Sequence, residues 1–221
     1  MADTFASALQ AVNAADSAQA LIDAVEALSD LKDERAMPTL IEVLGFNNPG
    51  AAVAAVDGLI QVGIPAVSPL LEQLDGYNYG ARAWAIRALA GIGDPRGQDL
   101  LLQAAVEDFA MSVRRAAARG LGAIQWQAIP PASRHERQLR SQTALLQVTQ
   151  DDEWVVRYAA VVGLQTLAMA MAMAMEPSPA IEGSITPIYQ HLLNLAARDD
   201  SLAVRARAQW ALQQLKQNQQ L

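Results

Sequence analysis

The sequence predicts an all-α fold, an α-α superhelix of about five stacked helical pairs, and three observations lead there. The first is a recurring register. With Arg82, Arg114, Arg157 and Arg205 placed at zero, Leu89, Leu121, Leu164 and Leu212 fall at +7. An earlier segment joins the series with Ala52 at zero and Leu59 at +7, and successive zeros are 30, 32, 43 and 48 residues apart. Periods of this size mark solenoids, whose units cannot bury an apolar face alone. The second is composition: hydrophobic residues make up 52% of the chain but aromatics only 5%, so small side chains dominate and helices can approach closely. The third is the lack of any alternating period-two run, which argues against strands.

The elements follow in order. A helix at 17–28 precedes the array as an N-terminal cap over about 1–35. The repeats occupy about 36–217 within a single domain, 1–221. The first helices of the pairs are expected at 37–44, 66–74, 97–106, 139–149 and 185–197. Several open at a proline (Pro38, Pro65, or Pro95 after a capping Asp94), where the missing N–H is harmless. The second helices carry the register. Their −1, +3, +6, +7 and +10 positions read Ala81, Ala85, Ala88, Leu89, Ile92, then Val113, Ala117, Gly120, Leu121, Ile124. The next two read Val156, Ala160, Gly163, Leu164, Leu167 and Val204, Ala208, Ala211, Leu212, Leu215. That spacing is one helix face, and small residues beside a large one suit tight packing. Two insertions, 125–138 and 176–184, read as loops at the edge of the array, either binding segments or spacers.

Composition also excludes functions. A net charge of −7 and a pI near 4.8 argue against a general nucleic-acid binder and leave room only for local basic patches. There is no cysteine, which removes disulfides, thiolate catalysis and Cys-ligated metal. Two histidines without close partners make no metal site. No GxSxG element, P-loop or GxGxxG fingerprint is present. The first residues lack the pattern of a signal peptide, and the most apolar tract, around 159–175, is short for a membrane span. A soluble cytoplasmic protein with a binding surface is the expectation.

Two phrases, Gly93-Asp94-Pro95-Arg96-Gly97 and Val113-Arg114-Arg115-Ala116-Ala117, resemble the HEAT-like repeat of phycobilisome lyases. The stretch YNYGARAWAIRALAGIGDPRG at 77–97 is sharper. It resembles the smaller, F-type (β) subunit of the heterodimeric E/F-type phycocyanobilin lyases of cyanobacteria. The repeat resemblance covers about 36–215 and is strongest over 75–122. It implies an enzyme subunit that, with an E-type partner, binds phycocyanobilin and attaches it by a thioether to a cysteine of the phycocyanin α subunit. It also implies the cyanobacterial cytosol as the setting. Some F-type relatives isomerise the bilin as well and share an Asn-His-Cys motif. Tyr77-Asn78-Tyr79 stands in that neighbourhood here, which argues against isomerisation. The other function class left open is a non-catalytic helical-repeat adaptor that binds phycobiliproteins in phycobilisome assembly or degradation.

Read against a bilin, which presents two propionates and a flat conjugated frame, the +1 and +5 positions give the candidate pocket. They lie opposite the buried stripe and include Arg87, Arg115, Arg119, Tyr158 and Trp210. Arginine forks match carboxylates; the plain alternative is ordinary solvated charge. Tyr77, Asn78 and Tyr79 either bound the tetrapyrrole, meet the partner or form a structural corner. The zero-register arginines, with Asp75, Asp108, Asp151 and Asp199 before their helices, read as ion pairs between repeats. Asp108 is also a candidate to bind pyrrole N–H groups. His135, in the basic stretch Arg134-His135-Glu136-Arg137, is either a proton donor or a solvated loop residue. His191, on an apolar helix, reads as structural.

Overall fold

The computed structural model describes residues 4–72, 79–173 and 179–218, which belong to two compact units, Met1–Gly97 and Gln98–Leu221. Among the described residues there are twelve α-helices and no strand. The first unit holds α1 (Thr4–Ala14), α2 (Ala18–Asp30), α3 (Met37–Val43), α4 (Pro49–Val62), α5 (Val67–Glu72) and α6 (Tyr79–Ile92). The second holds α7 (Gln98–Glu107), α8 (Met111–Gly122), α9 (Pro131–Val148), α10 (Trp154–Met173), α11 (Pro179–Arg198) and α12 (Leu202–Asn218).

In the first unit the even-numbered helices stack in sequence, α2 on α4 and α4 on α6, and each packs against the helix before it. The segment expected as a cap is therefore a full helical pair, α1 with α2. The described residues hold six pairs, the five expected and this one. Ser17 starts α2 by accepting a hydrogen bond from the Ala20 N–H at 3.2 Å. Asn48 caps α4 through the Ala51 N–H at 3.1 Å, and its amide donates to the Ala18 carbonyl at 3.0 Å, joining two successive corners. Gly63 and Gly93 end α4 and α6 at φ 78° and 70°, a left-handed conformation that side-chain-bearing residues avoid.

In the second unit α8, α10 and α12 stack, with α7, α9 and α11 against them. The inner stripe is where the register puts it. From Val113 to Leu215 all fifteen of its residues are buried. In α6, Ala85, Ala88, Leu89 and Ile92 are buried and Ala81 is half-buried. Two glycines set the approach of α8 to α10. A Cβ on Gly122 would sit 2.6 Å from Gly163 Cα, and one on Gly163 would sit 2.5 Å from the Ala118 carbonyl oxygen. The helices meet backbone to backbone. By length and composition α10 is apolar enough to cross a membrane, but 61% of its most apolar window is buried inside this fold.

Both insertions differ from expectation. Residues 131–138 are the first two turns of α9, not a loop, because Pro131 stands where a helix tolerates proline. A short 3-10 turn, Trp126–Ala128, precedes it with Trp126 buried. Arg134 donates to the Ile129 carbonyl at 2.9 Å. The buried Gln98 amide donates to the Arg137 carbonyl at 2.8 Å and to Ser141 Oγ at 2.9 Å. Such a network ties α7 to α9 and makes the extension part of the fold. The second insertion is helical from Pro179 onward; 174–178 lie outside the described residues.

An arginine–aspartate ladder runs through the second unit. Arg114 donates from Nε and Nη2 to both carboxylate oxygens of Asp151, at 2.6 and 3.0 Å. Its Nη1 donates to the Asp108 and Phe109 carbonyls at 2.9 and 3.1 Å. One repeat later, Arg157 holds Asp199 at 2.9 and 3.0 Å and the Asp151 and Asp152 carbonyls at 2.9 and 3.1 Å. It also pairs with Asp200. Each aspartate in turn caps its own corner through the N–H two residues on, Ala110, Glu153 and Ser201, all at 2.9 Å. The expected stacking role is thus seen for Arg114, Arg157, Asp151 and Asp199. Asp75 lies outside the described residues.

Two substitutions test this account by urea denaturation. Arg157→Ala leaves the Asp199 carboxylate, 4% exposed, without its counter-ion and is expected to cost about 3–5 kcal/mol. Gly163→Ala forces a methyl group against the α8 backbone and is expected to cost about 1–3 kcal/mol.

Candidate functional site

The exposed face of the second unit is built from the register positions that the stripe leaves outward. On α8, Arg115 and Arg119 stand one turn apart, both exposed and without an ion pair among the described residues. Tyr158 on α10 and Trp210 on α12 are 37% and 49% exposed. At the starts of the same helices Met111, Trp154 and Leu202 are exposed too, with Phe109 just before α8. They form an apolar row at register position −3, repeated from helix to helix.

Tyr158 and Trp210 converge on a residue absent from the sequence-based candidates. Arg207 on α12 is 9% exposed, with its guanidinium 4.6 Å from the Trp210 ring centroid and 5.9 Å from that of Tyr158. Its Nη2 donates to Gln165 Oε1 at 2.7 Å, while Nη1 is buried with no hydrogen-bond partner. Burial holds its pKa below the ordinary arginine value; Tyr158 opposes that shift and Arg119 adds to it. Arginine nonetheless keeps its proton in proteins. The register contained the signal. At +2 the other second helices of this unit carry Ala116 and Ala159, so a cation there is the exception.

The other candidates are distributed as follows. Arg87 belongs to the first unit, on α6, with its guanidinium 4.4 Å from the Trp84 ring centroid. Tyr79 begins α6 and is exposed; Tyr77 and Asn78 lie outside the described residues. Asp108 is buried at its corner, engaged as described above. His135 is exposed on α9, on a helix and not in the loop expected from the sequence. His191 lies 2.6 Å from Thr149 Oγ1, which itself donates to the Leu146 carbonyl at 2.6 Å. The histidine Nε2 therefore carries the proton in that contact. Burial lowers the His191 pKa, so the ring is neutral in the fold. Among the described residues no three His, Cys, Asp or Glu side chains group as metal ligands.

Helical pairs stacked in one register, joined by a corner ladder, define the chain as a HEAT-like repeat protein. A family model described as HEAT repeats matches residues 67–165, and one described as PBS lyase HEAT-like repeat matches 20–46. The second match covers α2 and α3, in line with a first repeat where a cap was expected. The chain belongs to the family of phycocyanobilin lyase β subunits. It is 53% identical over 98% of its length to the phycocyanobilin lyase subunit beta of Pseudanabaena tenuis, covering 75% of that protein. It is 55% identical over 76% of its length to the phycocyanin alpha phycocyanobilin lyase CpcF of Synechocystis, covering 79% of it. A chain of the solved complex of CpcE and CpcF of phycocyanin lyase from Nostoc matches with a TM-score of 0.70 and 46% identity. That match covers 81% of this chain and 99% of the other.

A folded-state pKa below the unfolded one means that the unfolded chain binds more protons, so stability falls on acidification. For His191 the loss begins as pH falls through about 6.5, its unfolded value. For Asp151 and Asp199 burial is the largest single influence and would raise the pKa, but the Arg114 and Arg157 hydrogen bonds, the backbone N–H bonds and the arginine charges together outweigh it and leave both lowered. Their contribution is lost below about pH 4. Melting curves of His191→Gln are expected to lose the pH dependence just below pH 6.5 and to keep the acid limb.

Proposed function

We propose that this chain is the F-type subunit of a heterodimeric phycobilin lyase. With an E-type partner it binds phycocyanobilin and attaches it to a cysteine of the phycocyanin α subunit. The observation that carries the reading is the match, at 46% identity and a TM-score of 0.70, to a chain of the CpcE–CpcF complex. The names of the relatives favour a lyase over a non-catalytic adaptor. The exposed apolar row of Met111, Trp154 and Leu202 is what a subunit that pairs with another protein requires.

The reaction is an addition. The acceptor thiolate attacks the exocyclic ethylidene carbon of the bilin, a carbon–sulfur bond forms, and a proton is taken up by the pigment. No electron changes hands and no group leaves. This chain has no cysteine, so it offers the bilin no competing thioether and holds it reversibly. Its contribution is to orient and shield the pigment. In this reading Arg115 and Arg119 hold propionates and Tyr158 lies against the tetrapyrrole; Arg87 and the Tyr77-Asn78-Tyr79 corner are bilin-binding candidates of the first unit taken by itself. Asp108 and His135 remain the candidates for proton handling, Asp108 the less accessible because it is buried.

Co-expression of this chain with an E-type subunit, phycocyanin α and a bilin source is expected to yield covalently coloured phycocyanin α, with none formed when either subunit is omitted. Charge-assisted hydrogen bonds contribute about 1.5–3 kcal/mol each. Arg115→Ala and Arg119→Ala are therefore expected to weaken bilin binding by about tenfold or more, leaving helicity and partner binding unchanged. Unaltered bilin affinity in both variants would remove these residues from the pocket.

A further inference from the structure

Arg207 stands apart from the other arginines whose surroundings are described. Arg114 and Arg157 of the ladder each hold a carboxylate of the next repeat and two carbonyls of their own corner, and Arg96 is held by Asp94. Arg207 is as buried as Arg157 yet has no carboxylate on it. From α10 it is faced by Tyr158 and Gln165, from its own helix by Trp210, and from α8 by a second cation, Arg119. A desolvated guanidinium with one orphaned nitrogen costs the fold several kcal/mol, and nothing on the ladder depends on it. Methionine would fill the same space without that cost.

We infer that Arg207 is a carboxylate-binding residue for the pigment, with Tyr158 and Trp210 as the aromatic walls of the site. Three features select this ligand chemistry. The guanidinium fork has an unmatched N–H edge, which suits a carboxylate. Arg119 adds a second positive charge beside it, which suits an anion and repels a cation. The two rings over the guanidinium are half-exposed and offer π faces to a flat conjugated frame. A ligand reaches Nη1 by displacing one ring, which then stacks on the pigment. The propionate enters as the anion and leaves as the anion; no bond forms. The inference rests on the bilin-binding reading above and deepens it, because it places the primary anchor on α12, not on α8.

The test uses the complex of this chain with its E-type partner and two probes, phycocyanobilin as the free diacid and as its dimethyl ester. The wild-type complex is expected to bind the diacid about tenfold or more tightly than the ester in an absorbance titration. Arg207→Met is expected to bind the diacid about tenfold more weakly than wild type and the ester unchanged, so that its preference for the diacid shrinks by that factor. Its melting temperature should rise by about 2–4 °C, because an uncompensated buried charge is gone. Arg207→Lys, which restores a cation without the fork, should recover part of the preference for the diacid. A methionine variant that keeps the full diacid preference overturns the assignment. So does one that binds the pigment normally but no longer pairs with the E-type subunit, since the cation would then serve the protein interface. If the wild-type complex binds neither probe, the bilin reading itself fails and this inference goes with it.

Discussion

The corner arginine governs the second unit. Its guanidinium has five N–H donors in a fixed plane, and in Arg114 and Arg157 the plane is divided between two tasks. One edge holds the carboxylate of the following repeat, while Nη1 holds the carbonyls of its own corner. Because the aspartate at the other end also caps its own helix, a single side chain couples the start of one helix to the position of the next. Helix packing alone leaves neighbours free to slide by a turn. The fork does not, since a slide of 5.4 Å, one helical pitch, would break both bonds it makes to the carboxylate of the next repeat.

The close approach of α8 to α10 is the second constraint, and it depends on the first. Gly122 and Gly163 remove the side chains that would hold the two backbones apart. Glycine in a helix loses stability relative to alanine by about 1 kcal/mol, so its use at both contact points is repaid only if the helices meet at that one register. The ladder guarantees the register. Small residues and fixed corners are therefore two halves of one arrangement, and the apolar stripe fills what remains.

The repeat was legible because stacking imposes a period that local chemistry cannot hide. Arg114 and Leu121 mark the same places in their unit as Arg157 and Leu164 do in the next. The corner aspartates were legible for the same reason. What escaped the sequence was anything that departs from the period. Residues 131–138 looked like a loop because Pro130-Pro131 and a run of charges usually interrupt helices; here Pro131 begins one, and Gln98 fixes Arg137 and Ser141 from another helix. The N-terminal pair escaped because α1 buries only Val12, so its first helix carries no apolar stripe to read. Arg207 escaped because an arginine is expected at an exposed position such as +1 or +5, whereas it is a cation at a buried position where its counterparts are alanines.

The ladder also has a direction. In the second unit Arg114 and Arg157 each reach toward the C-terminus, to the carboxylates of Asp151 and Asp199. Arg205, at the last rung, still binds the Asp199 carbonyl of its own corner at 2.6 Å, but among the described residues no carboxylate meets it. The ladder is thus polar, each link running from a guanidinium to the carboxylate of the repeat that follows. A repeat can be added or lost at the donor end without redesigning its neighbour, provided that it begins with the same aspartate corner. Inverted insertion is forbidden by the same chemistry, so growth of such an array is confined to head-to-tail duplication.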